Sequence, residues 1–182
     1  MARYAAFLRA VNVAGHPRVK MRDVQSAFRA AGCRDVVTYI QSGNVLFSAA
    51  HAELPRLETK ILASLRALLG VEPLVLHRRL AEVAELVEQH PFGVLEADRS
   101  LKLYVAFLAR EPSVPRALPF SSPRERLEAI AKSGLNVFIV SRRKESGIYG
   151  FPNNFVEAEL GVPATSRNFS TVRKIAAMSA PS

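Results

Sequence analysis

The stretch from Tyr4 to Val11, YAAFLRAV, is compact, mostly apolar and free of turn residues, and it stops against Gly15 and Pro17. A run of that kind suits a buried strand better than a helix. Past the break, Val24, Ala27, Phe28 and Ala31 recur at the spacing of one helix face, so Met21 to Gly32 is predicted helical, with Gly32 as its stop. Val36–Ile40 and Asn44–Phe47 are rich in β-formers on either side of Ser42 and Gly43, which marks a hairpin. A second apolar stripe, Leu54, Leu57, Ile61, Leu65 and Leu68, predicts a long helix ending at Gly70, and Pro73–His77 predicts a last strand. The resulting order, β-α-β-β-α-β, leaves few options. In a split βαβ arrangement each half crosses over right-handed and leaves room for a strand of the other half between its own two.

That arrangement is the ferredoxin-like plait, and the remainder of the chain reads as a looser copy of it. Leu80–Gln89 is predicted helical and Leu101–Leu108 a strand. Pro112, Pro115, Pro119 and Pro123 punctuate a loop leading to a helix expected over Arg124–Ser133. Val137–Val140 and Gly147–Phe151 suggest an antiparallel pair, and helices are expected near Phe155–Leu160 and Phe169–Met178. The expected fold class is therefore α+β: two ferredoxin-like units with antiparallel sheets, the second less regular and followed by extra C-terminal helices. The units are residues 1–80 and 81–182, with the boundary falling in the region from 80 to 98.

A chain of 182 residues needs no covalent staple to bury a core. Cys33 is the only cysteine, which excludes an intramolecular disulfide and a thiolate zinc site. It falls at a predicted helix end, where the dipole disfavours a thiolate, and reads as a small buried or half-buried thiol. No apolar run reaches the ~18 residues of a membrane span. MARYAAFLRAVNV fails as a signal peptide because Arg9 interrupts it and no small-residue cleavage site follows. A cytoplasmic protein without a membrane partner is expected.

The net charge is +9, and it is uneven: residues 1–80 carry 12 Lys or Arg against 5 Asp or Glu, while residues 81–182 carry 13 against 11. The first unit is the basic one and would be the half that faces an anionic partner. Arginine outnumbers lysine 19 to 6 and alanine is abundant, so GC-rich coding is an equally direct source of the excess. The chain has no G-x-S-x-G elbow, no phosphate-binding glycine loop ending in Lys-Ser or Lys-Thr, and no G-x-G-x-x-G. His16, His51, His77 and His90 lack metal-ligand spacing and cysteine partners, so no metal and no cofactor is expected. Glu82 with Glu85, and Glu157 with Glu159, read as solvated helix surface.

The plait makes a geometric prediction about the polar residues. The loop after the first strand and the hairpin between the second and third share one end of the sheet, which would bring Asn12 close to Asn44. That surface would collect the carboxamides of Asn12, Gln41 and Asn44, the hydroxyl of Ser42, and the cations His16, Arg18, Lys20 and Arg22. The helix start would add uncapped backbone N–H donors, because no Ser, Thr, Asp or Asn stands between residues 18 and 22. Such a set suits phosphate or carboxylate. The plain alternative is that the asparagines close turns and the cations point into water. A second cluster, TSRNFSTVRK, offers Arg167, Asn168 and Lys174 around the start of the last helix, with Asn168 or Ser166 as its N-cap.

Three stretches in this order, YAAFLRAVNVAGHPRVKM, TYIQSGNVLF and LGVPATSRNFSTVRKI, resemble the bacterial DUF1697 family across nearly the whole chain. Arg9, Asn12, Gly15, Lys20, Met21, Gln41, Ser42, Gly43 and Asn44 match its pattern, as do Thr165, Arg167, Asn168, Thr171, Val172 and Lys174. The chain departs at Phe169 and Ser170, where the pattern has tryptophan and asparagine. It departs again in GIYGFPNNFVEAEL, which lacks the family's Ser-Lys-Leu. The resemblance implies two ferredoxin-like units and brings no activity with it.

The expectation is thus binding of a small phosphate- or carboxylate-bearing ligand at the first-unit loop and hairpin, through Asn12, His16, Arg18, Lys20, Gln41, Ser42 and Asn44, with Arg167, Asn168 and Lys174 as further candidate ligand residues. Whether this is an enzyme stays open: no nucleophile stands out, and His16 is the member of the cluster suited to proton transfer near neutrality. One alternative is weak, sequence-independent nucleic-acid (RNA) binding, for which the charge has the right sign. NVLFS lacks the aromatic pattern of base-stacking strands, however. A structural or oligomerising role is the other alternative, with an open sheet face pairing two copies as a homodimer.

Overall fold

The computed structural model describes residues 1–9 and 19–178. It has a mixed α+β architecture with two antiparallel sheets, carried by two compact units built on Met1–Val83 and Ala84–Ala176.

In the first unit the elements are β1 (Ala2–Leu8), α1 (Met21–Ala31), β2 (Arg34–Tyr39), β3 (Asn44–Ala49), α2 (Leu54–Leu69) and β4 (Val75–Arg79). The strand order is β2-β3-β1-β4. Tyr4, Ala6 and Leu8 point to one face of β1, as a period of two requires. They meet Val24 and Phe28 of α1 and Leu57, Ile61 and Leu65 of α2 in one core. Gly32 ends α1 with φ 111, a left-handed value, and the following N–H of Cys33 folds back onto the Phe28 carbonyl at 3.1 Å. Cys33 itself lies in this core, and burial pushes its thiol up to about 11, so it stays protonated at neutral pH.

After the helix α3 (Leu80–Glu88), the second unit has β5 (Leu101–Leu108), β6 (Phe120–Ser122), β7 (Leu127–Ser133), β8 (Asn136–Arg142), α4 (Asn153–Leu160), β9 (Ala164–Asn168) and α5 (Phe169–Ala176). The sheet order is β6-β7-β8-β5-β9. Three expectations are corrected here. Arg124–Ser133 is not a helix: most of it is β7, whose Leu127 and Ala129 are buried while Glu128 between them pairs with Arg142 of β8 at 2.8 Å. Pairing on both edges overrides the helix-forming Glu, Ala, Leu and Lys of that stretch. Gly147–Phe151 is not a strand partner of β8, because β5 and β7 already occupy both edges of β8. The segment makes a single bridge, Arg143 to Tyr149, and Ser141 Oγ donates to the Gly150 carbonyl at 3.0 Å. Finally, Ala164–Asn168 is a strand beside β5, so Ser166 is a buried strand residue and no cap.

Candidate functional site

In the first unit the end of β1 and the β2–β3 turn meet by register. β1 and β2 both run antiparallel to β3, and Phe7 and Tyr39 both pair with Asn44, so the ends of β1 and β2 and the start of β3 lie level. The Leu8 N–H donates to the Gly43 carbonyl at 2.8 Å and the Arg9 N–H to the Leu74 carbonyl at 2.9 Å. The chain therefore leaves β1 between the β2–β3 turn and the approach to β4. Only Gly32 and Cys33 separate α1 from β2, and Gln25 Nε2 ties the helix to the Val36 carbonyl at 2.6 Å. At ordinary rises per residue, helix and strand have similar lengths, which returns the start of α1 to the end of the sheet that carries the turn.

At that start Lys20 is extended (φ −72, ψ 130) and exposed, and its side chain makes no capping hydrogen bond. Its carbonyl accepts the N–H groups of Asp23 and Val24. Arg22 and Asp23 pair with each other at 3.5 Å on the surface. Gln41 and Ser42 are exposed in the turn, next to Ile40 (φ 50) and Gly43 (φ 75). Asn44 has a different task. It is 1% exposed and its Nδ2 donates to the Tyr39 carbonyl at 3.1 Å and to Ser42 Oγ at 3.0 Å, which closes the turn from inside. Asn12, His16 and Arg18 lie outside the described residues.

Arg167, Asn168 and Lys174 do not form one cluster within the second unit. Arg167 lies inside β9 opposite Val105, buried, and its Nη1 donates to Thr165 Oγ1 at 3.0 Å and the Ser166 carbonyl at 2.8 Å. Desolvation brings its guanidinium down to about 10, still cationic at neutral pH. Asn168 is the N-cap of α5, its Oδ1 accepting the N–H of Ser170 at 3.2 Å and the Ser170 hydroxyl at 2.9 Å. Lys174 is exposed on the last part of α5. A cap predicts a stability effect and no binding effect: Asn168→Ala is expected to cost about 1 kcal/mol, read as a lower urea midpoint by circular dichroism with unchanged slope.

A further arrangement gives no sign of itself in local spacing, because four separate segments supply it. His77 Nδ1 of β4 lies 2.8 Å from Glu58 Oε1 of α2, the Tyr4 ring of β1 meets His77 edge-on at 5.8 Å, and Tyr4 Oη lies 3.4 Å from His51 Nδ1. His77 and His51 attract notice in the sequence only as histidines without metal spacing. The register of β1 with β4, which sets Ala6 opposite His77, brings the Tyr4 ring to His77, whereas Glu58 arrives with α2.

No curated protein matches the chain. Among solved structures the fold is similar to that of a conserved bacterial protein, SP0830, from Streptococcus pneumoniae, with a TM-score of 0.61, 19% sequence identity and 97% of each chain covered. That likeness concerns the fold alone. A family model described as "Protein of unknown function (DUF1697)" matches residues 1–138, which takes in the whole first sheet, its turn and the start of α1, and the chain belongs to that family.

Proposed function

We propose that the first unit binds a small phosphate- or carboxylate-bearing ligand at the sheet end where α1 begins. The observation that carries this reading is the start of α1: an exposed Lys20 stands at a helix N-terminus that its own side chain leaves uncapped. Backbone N–H groups at a helix start with a lysine beside them favour an anion. Gln41 and Ser42 in the adjoining turn supply neutral donors that orient it, and Asn44 acts through the turn it closes. Asn12, His16 and Arg18 complete the ligand set in this reading, while Arg167 and Asn168 are engaged by contacts of the second unit's own backbone and hydroxyls. Both sheets also support the finer fold reading of two ferredoxin-like units, since β2-β3-β1-β4 recurs as β7-β8-β5-β9 with β6 added at the edge.

An RNA reader working through the sheet face needs exposed rings on its central strands. Here Tyr4, Phe7 and Phe47 are all buried, which favours the small-ligand reading. The test is titration calorimetry with inorganic phosphate and a panel of phosphorylated and carboxylated metabolites. Lys20→Ala is expected to weaken the best ligand about tenfold, the size of one charge-assisted contact, with the thermal midpoint of the free protein unchanged. Saturable binding that is indifferent to Lys20→Ala, or no binding across the panel, sinks the proposal.

A further inference from the structure

Between α2 and the first sheet lies a cavity of about 200 Å³, a site that shares no residue with the helix start and turn described above. Its inner wall includes Ala6, Phe28 and Phe47, each 2% exposed or less, whereas Glu58, Leu62 and His77 line it from partly exposed positions and so form its mouth. An apolar cavity of about 150 Å³ accommodates benzene, so this one has room for a six-membered ring with a short substituent. Phe28 and Phe47, both in its lining, stand 5.6 Å apart at 57°, a tilted pair in mutual contact against which a further ring can pack.

The polar end is one-sided. A carboxylate has about four acceptor positions, and His77 engages Glu58 through one nitrogen. Burial, with smaller help from Arg78 and His51, holds His77 below its usual value against the opposing pull of Glu58 and Glu82. The imidazole is therefore neutral at neutral pH and donates its Nδ1 proton to Glu58, with the Tyr4 ring against it. This leaves the mouth with the negative charge of Glu58 and no cation lining it to cancel that charge among the described residues. From this geometry we infer that the cavity binds a small primary amine with an aromatic body, its ring packed against Phe28 and Phe47 and its ammonium on Glu58. An anionic ring compound of the same size would set a second negative charge against Glu58 in a partly desolvated mouth, which is unfavourable.

The experiment uses the full chain and three probes of similar shape: phenethylamine (cationic), 2-phenylethanol (neutral) and phenylacetate (anionic). Binding is followed through the backbone amide resonances of Leu62 and His77. Phenethylamine is expected to give saturable shifts at both and to bind more tightly than the alcohol, with phenylacetate weakest. Glu58→Gln is expected to weaken phenethylamine about tenfold while changing 2-phenylethanol by no more than about twofold, because only the charge-assisted contact is lost. Glu58 is half-exposed, so this variant keeps the fold; a second variant, Leu62→Trp, fills the mouth and is expected to abolish binding of both. Absence of shifts at Leu62 and His77, tighter binding of phenylacetate, or a Glu58→Gln protein that binds the amine as before would each overturn the assignment.

Discussion

Phe28→Ala is expected to destabilise the first unit by about 3–5 kcal/mol. The ring has no exposed surface and packs against Phe47, which in turn stacks on Tyr4 at 5.4 Å. Its loss removes the transfer free energy of the ring and leaves a void. How far a void is relieved depends on whether neighbours can collapse into it. Here the ring already borders a cavity of about 200 Å³ that α2 and the sheet have not closed, so little relaxation is available and the cost belongs in the upper part of that range. Guanidinium denaturation followed by far-UV circular dichroism measures it. A loss below about 1 kcal/mol would mean that α1 can settle onto the sheet without this ring.

Gly150→Ala acts in the second unit through the opposite defect, excess volume. A Cβ at residue 150 would stand 2.4 Å from the Glu125 carbonyl oxygen, with Leu127 Cγ at 3.1 Å beyond it. The nearest obstacle is backbone, which cannot rotate away as a side-chain tip would. Nor can Gly150 retreat freely, because its own carbonyl receives the buried hydroxyl of Ser141. Overpacking of this kind costs about 1–3 kcal/mol, and here it is coupled to the Ser141 hydrogen bond. The expected result is a lowered denaturation midpoint for Gly150→Ala, with Ser141→Ala adding little on top, since the two changes disrupt one contact. Full additivity in that double-mutant cycle would show that the glycine and the hydroxyl act separately.

The first unit was readable because each element there carries more than one agreeing signal. The stripe Val24, Ala27, Phe28, Ala31 and the glycine at residue 32 specify the same helix, and the β-rich runs around residues 42 and 43 specify the same hairpin. The second unit misleads where composition and context disagree. LEAIAKS is built from helix formers, and only the alternating burial of Leu127 and Ala129, set by pairing with β6 and β8, makes it a strand. The site follows the same division. Register alone suffices to bring Leu8 against Gly43, so the meeting of the first strand with the hairpin turn is legible from the order of elements. The role of Asn44 inside the turn and the depth of Arg167 depend on which way a strand residue faces, and single residue types do not carry that information. The Glu58–His77 pair is out of reach altogether, because it needs the relative placement of a helix and an edge strand.

The position of β1 in its sheet has a consequence for how the unit is made. β1 is flanked by β3 and β4, so one of its ladders is with a strand that ends at Arg79. During synthesis the earliest segment of the unit can pair with the hairpin, but its other edge stays open until nearly the whole unit has emerged. The same holds for β5, which lies between β8 and β9. Each unit therefore closes late, around its first-made strand, and at that stage an apolar edge is open to pairing with another nascent chain.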